Sequence, residues 1–276
     1  MTLYKDYLIL EKSDPDHFKD YYAVPFYNIF LLKGKGIISA DFVDFAFDGQ
    51  IALFTTPYQH IKISGTIDEG IEKLGFHGDF YCIEYHKKEV ACNGLLFNNI
   101  YQQPFIYLKD NELNSIFKKI AAEKEKNIPF TEPILKSYLQ LILAISSRIK
   151  KVNQSDEAPA MGAAIEKFKD LLEENFIQQR SPLFYANTLS LAPNSFTKQC
   201  NKYFGKSPSI LIQERVILEA KKHLHLSHKS IKEIAGLMNF DDQHYFSRYF
   251  KKHTGVSPTE FRTEVGISIV ADLSII

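Results

Sequence analysis

The chain has no tryptophan and only three cysteines in 276 residues. Cys82, Cys92 and Cys200 are odd in number and follow no framework spacing. That excludes a disulfide scaffold and points to a reducing, cytoplasmic setting. In the N-terminal half no pair of histidines has the His-x-His spacing of a barrel metal site: His17, His60, His77 and His86 are scattered. Cys82, His86 and Cys92 fall close together, but two buried thiols and a surface histidine account for them more simply. No metal and no cofactor are expected. Net charge is also lacking, with 33 Lys+Arg against 33 Asp+Glu. This argues against a chain that coats nucleic acid over its whole surface.

Long apolar runs are absent too. The most apolar helix candidate, Ile134–Ile149, is broken by Lys136, Ser137, Gln140, Ser146, Ser147 and Arg148. It is too short and too polar to span a bilayer. The opening MTLYKDYLILEKSDPDHF has no basic segment followed by an apolar core, so no signal peptide is expected. Neither a nucleophile elbow nor a phosphate loop is visible, so an enzyme is not expected.

The length suits two domains, and the charge divides between them. Residues 160–276 hold 15 Lys+Arg against 12 Asp+Glu, leaving 18 against 21 in residues 1–159. Residues 1 to about 108 read as β-rich, with apolar runs at Phe26–Leu32, Ile37–Phe47, Ile51–Thr55, Ile61–Ile63, Phe80–Tyr85 and Leu95–Phe97. Glycines at 34, 36, 49, 65, 78 and 94 punctuate them as hairpin signals. Many short strands at this spacing favour a small barrel or sandwich. The aromatic-rich segment Phe76–Phe97 suits either a pocket for a small effector or a packed core.

Helices are expected at about 109–126 and 131–152. In the first, Leu113, Ile116, Phe117 and Ile120 share one stripe; in the second, Leu135, Tyr138, Leu139, Ile142, Ile145 and Ile149 do. The second stripe suits packing on the barrel, a dimer interface, or both. Residues 153–161, polar and small, read as a linker. From 162 to about 265 the pattern is helical throughout, and an apolar tail, 266–276, follows.

Within that helical part the same punctuation occurs twice. Phe196, Lys198, Cys200, Lys202, Gly205, Ser207 and Pro208 return fifty residues later as Phe246, Arg248, Phe250, Lys252, Gly255, Ser257 and Pro258. Ala186 returns as Ala235, a shift of 49, so the second copy has one more residue in its turn. Each copy reads as a positioning helix (Leu183–Leu189, then Ile231–Leu237), a short turn, and a second helix starting near Pro193 or after an Asp242 N-cap. Phe196, Cys200 and Tyr203, and Phe246, Tyr249 and Phe250, face a core. A helix from Pro208 to about His225, capped by Ser207, joins the copies. One polar helix face is ordinarily just solvated. Two in register suit a pair of helices placed in successive major grooves of DNA.

From about Ile165 to Arg262 these residues resemble the AraC family of bacterial transcription regulators. The segment SIKEIAGLMNFDDQHYFSRYFKKHTGVSPTEFR resembles the family signature almost throughout. The resemblance implies a two-unit helix-turn-helix domain and a cupin-like sensor domain before it. It places base contacts on Asn194, Ser195, Thr197 and Lys198, and on Gln243, His244, Ser247 and Arg248. Lys202, Lys251 and Lys252 are placed on phosphates. Ser190, Asn239 and Cys200 depart from the family's usual glycines and phenylalanine. Arg215 is expected to pair with a carboxylate such as Glu233.

The combined expectation is an α+β chain: a β-rich sensor and dimerisation domain (1–152), a linker (153–161) and a DNA-binding domain (162–265). It would be a cytoplasmic regulator and a homodimer, binding double-stranded DNA under control of a small effector in the barrel, with RNA polymerase as a further candidate partner. The rival readings are a ligand-free interaction module and, with less support, a cupin-type enzyme tethered to DNA.

Overall fold

The computed structural model describes residues 4–41, 43–81, 96–97, 100–126, 128–157, 163–268 and 271. A one-turn helix, α1 (Tyr4–Tyr7), leads into six strands: β1 (Leu8–Ser13), β2 (Tyr27–Ala40), β3 (Val43–Thr55), β4 (Ile61–Ile67), β5 (Ile71–Phe76) and β6 (Phe105–Tyr107). They form one antiparallel sheet in the order β1-β5-β2-β3-β6, with β4 also paired to β2. β2 is the spine. One of its edges pairs with β3 from Asn28 to Ala40, while the other is shared, Tyr27–Leu31 with β5 and Gly34–Ala40 with β4.

The α+β architecture is as the sequence implies, but the sheet is open. Among the described residues β1 and β6 remain its two ends and no barrel closes. The glycines explain part of this difference. Gly34 and Gly49 are not turn residues; they face each other within the β2–β3 ladder. A Cβ at Gly34 would lie 2.1 Å from the Thr66 carbonyl oxygen, and one at Gly36 would lie 2.0 Å from that of Ser64. Glycine therefore lets β4 cross β2 at close range, where any side chain would collide with backbone. Phe80–Tyr81 and Leu96–Phe97 lie in turns, not strands, with all four side chains buried. Cys82, His86, Cys92 and Gly94 fall outside the described residues.

Two helices, α2 (Glu112–Lys126) and α3 (Thr131–Glu157), pack on the sheet. The sequence stripes are their buried sides: Leu113, Ile116, Phe117 and Ile120 on α2, and Leu135, Leu139, Ile142 and Ile145 on α3, join Ile29, Phe54 and Phe76 in one core. Tyr138 and Ile149 pack at its margin. The apolar periodicity of α3 is thus satisfied within the chain. Ile134 and Leu141 lie on the opposite, exposed side, and Phe130, just before the helix, is exposed as well. α3 continues to Glu157, into the stretch expected as linker.

The described residues of the second half form helices α4 (Ala163–Asn175), α5 (Pro182–Thr188), α6 (Pro193–Phe204), α7 (Pro208–Leu226), α8 (Ile231–Leu237), α9 (Gln243–Thr254) and α10 (Pro258–Val265). Their apolar sides form one core running from Phe168 through Phe196, Val216 and Ala235 to Phe250 and Phe261. No helix among the described residues is long and apolar enough to cross a membrane.

Candidate nucleic-acid interface

Each of the two units is built by local chemistry. In the first, Pro182 and Pro193 occupy the opening turns of α5 and α6, where a missing N–H costs nothing. In the second, the Ser230 hydroxyl accepts from Glu233 N while the Glu233 carboxylate accepts from Ser230 N, a reciprocal cap on α8. Asp242 caps α9, accepting from His244 N at 3.1 Å and Tyr245 N at 2.9 Å. These hydrogen bonds hold its carboxyl below the usual range. Gly205 and Gly255 close α6 and α9 in the left-handed conformation.

The turns are left-handed at Ser190 (φ 54°) and Asn239 (φ 54°). Asparagine tolerates that region better than serine does. Ser190→Gly should therefore raise stability by about 0.5–1 kcal/mol, and Asn239→Gly by less. Urea titration of the two variants checks this; a loss of stability for Ser190→Gly would contradict it. Cys200 fits its position well: it is fully buried, and burial pushes its thiol up to about 12. It is an inert core side chain.

The core sides are close to expectation. Phe196, Cys200 and Phe204 are buried in α6, and Phe246, Phe250 and Thr254 in α9. Tyr203 and Tyr249 sit half-buried at the rim. The opposite faces are open. Asn194, Ser195, Thr197, Lys198 and Lys202 on α6 are exposed, as are His244, Arg248, Lys251 and Lys252 on α9, with Gln243 and Ser247 partly so. Short polar groups and cations thus line one side of both helices, outside the chain's own core. The 19-residue α7 between them is a rod of about 28 Å at 1.5 Å per residue. One turn of DNA is about 34 Å.

Arg215 pairs with carboxylates, but not with Glu233. Its Nε lies 2.7 Å from Glu173 and its Nη1 2.9 Å from Glu219, and it stacks on Phe176 at 3.8 Å. Glu233 is already committed to its cap.

The sheet domain touches both units, which the sequence did not reveal. Tyr101 donates to Glu173 on α4 at 3.0 Å, and Lys206 to the Ile100 carbonyl at 3.1 Å. Tyr58 donates to Glu264 on α10, Lys221 on α7 to the Pro57 carbonyl at 2.8 Å, and His77 Nε2 lies 3.1 Å from the Glu264 carbonyl. The Lys206 and Lys221 contacts border a cleft lined by Asp41, Gln59, Ile100, Lys206, Glu214 and Lys221 among others. Burial pushes Glu214 up to about 7, opposed by Lys206 at 2.7 Å. Burial pushes Lys221 down to about 8, opposed by Asp41.

A lysine lowered from an unfolded value of about 10.4 penalises folding while protonated in both states. That penalty is complete below about pH 8 and fades as pH rises toward 10.4. Wild type should therefore gain stability relative to Lys221→Met between about pH 7 and pH 10. Paired denaturant titrations measure it; a difference that does not change with pH would refute the assignment.

Two helix-turn-helix units on a shared rod define a class of domain, and comparison with known proteins agrees. Residues 185–264 match a family described as a helix-turn-helix domain. The raffinose operon transcriptional regulatory protein RafR of Pediococcus pentosaceus is 27% identical over 96 residues, 35% of each chain. The arabinose operon regulatory protein of Escherichia coli K12 is 36% identical over 77 residues, 28% of this chain and 26% of that one. The chain therefore spans about a third or less of the length of these two relatives. Among solved structures, ToxT of Vibrio cholerae bound to an unsaturated fatty acid is 18% identical, with 95% of this chain and 96% of that one covered and a TM-score of 0.45.

Proposed function

We propose that the protein is a cytoplasmic, sequence-specific DNA-binding transcription regulator without enzymatic activity. One observation carries the reading: two helices, each closed by a left-handed glycine and each with its polar and cationic face exposed. Asn194, Ser195, Thr197, Lys198, Gln243, His244, Ser247 and Arg248 are the proposed base readers, because short polar groups and arginine can pair with base edges in the major groove. Lys202, Lys251 and Lys252 neutralise phosphates. The proposed division is a sheet domain with α2 and α3 (1–152) that senses and dimerises, and a DNA-binding domain (162–265). Ile134 and Leu141, left exposed on α3, and Phe130 just before it support self-association. RNA polymerase is a partner this reading admits.

Control comes from a small effector that changes how the sheet domain holds the two units. The cleft supports this reading because a molecule there would touch both halves of the chain. An effector can shift such an equilibrium only by its difference in affinity for the two states. Selection of bound sequences from random DNA tests the central reading. Enrichment of two short elements about one turn apart is expected, and no enrichment over input would remove it.

A further inference from the structure

We propose that Arg180 is a positioning residue that sets the pose of the second reading helix relative to the first. It lies in the connection between α4 and α5, and so belongs to the first unit. That connection is anchored there: the Tyr185 hydroxyl donates to the Gln179 carbonyl at 2.6 Å. From this anchor the Arg180 side chain reaches the turn of the second unit. Its Nη2 donates to the Met238 carbonyl and to the Asn239 carbonyl, the latter at 3.3 Å. Its guanidinium carbon sits 3.8 Å from the centre of the Phe240 ring. The end of α8 leaves carbonyls without helical partners, and a cation satisfies them.

Phe240 carries the contact onward. Its ring packs against Phe246 at 5.2 Å and Tyr249 at 5.3 Å, both on α9. A continuous chain of contacts therefore runs from Tyr185 through Arg180 and Phe240 to the second reading helix. Apart from it, the two units are joined chiefly through their packing on α7, which makes this contact a second, direct joint between them. The same connection also grips the rod, because Phe176 stacks on Arg215. The planar guanidinium suits this role, since it stacks and donates at once; lysine cannot do both.

This inference rests on the DNA-binding reading, so its test has one arm that needs DNA and one that does not. With DNA, Arg180→Ala should weaken binding to the best two-element duplex by about tenfold, because an unheld helix must be ordered on binding. It should also flatten the dependence of affinity on the spacing between elements. Binding to a duplex with one element scrambled should stay within about twofold. Arg180→Lys should behave like Arg180→Ala. If Lys restores binding, or if all duplexes weaken equally with the spacing profile kept, Arg180 contacts phosphate or only supports the fold, and the proposal fails. Without DNA, spin labels on unnatural residues at positions 194 and 244 report the distance between the reading helices. Arg180→Ala should broaden that distribution, as should Phe240→Leu, which keeps an apolar side chain but removes the ring face. An unchanged distribution in both variants overturns the clamp. Wild type that binds no DNA while its labels broaden in the variants would sink the function reading and leave the clamp standing.

Discussion

Phe168→Ala is expected to cost about 3–5 kcal/mol of stability, the usual range for removing a fully buried phenylalanine. Phe168 has no exposed surface. Its ring packs edge-on against Phe196 at 4.9 Å and Tyr185 at 5.5 Å, and is tilted against Phe204 at 6.3 Å. Phe196 and Phe204 belong to α6, so this one ring seats the first reading helix on α4. The cavity would open beneath the helix and not at its edge. Urea titration measures the loss, and Leu183→Ala, on an exposed side chain, supplies the contrast at less than about 0.5 kcal/mol. A loss below about 1 kcal/mol for Phe168→Ala would mean that the first unit is organised around some other group. DNA affinity should fall in step, because half the footprint depends on α6.

Arg248→Ala is expected to cost about 1–3 kcal/mol on the preferred DNA sequence and to relax preference at one base pair, as loss of a two-bond contact to guanine does. Arg248 is exposed on α9, and the cap at Asp242 fixes where its helix begins. Lys202→Ala and Lys252→Ala should act differently. They should weaken binding on every sequence and reduce its dependence on salt, because phosphate contacts release counterions regardless of base. Gel-shift titrations of the three variants at two salt concentrations separate these outcomes. Equal loss on preferred and random DNA for Arg248→Ala would move it from the base readers to the phosphate contacts.

Much of the second half was legible in the sequence because its signals are local. Asp242, Gly205, Gly255, Ser207 and Pro258 each act within one helical turn, and they bound helices α6, α7, α9 and α10. The apolar stripes of α2 and α3 were legible for the same reason, since a 3.6-residue period needs no knowledge of the partner. The first half was less so. Gly34 and Gly36 read as turn formers from their immediate neighbours, yet their use is close pairing of β2 with β4, some thirty residues away. The pairing of Arg215 with Glu173, the reach of Arg180 and the contact of Tyr58 with Glu264 join residues 42, 59 and 206 apart, for which a sequence carries no periodic trace.

The two reading units follow one another in the same sense along α7, and the second has one extra residue in its turn. A protein of this construction meets the double helix with a front and a back. Turning its target end for end within a promoter would leave affinity intact while sending the sheet domain toward the opposite neighbour.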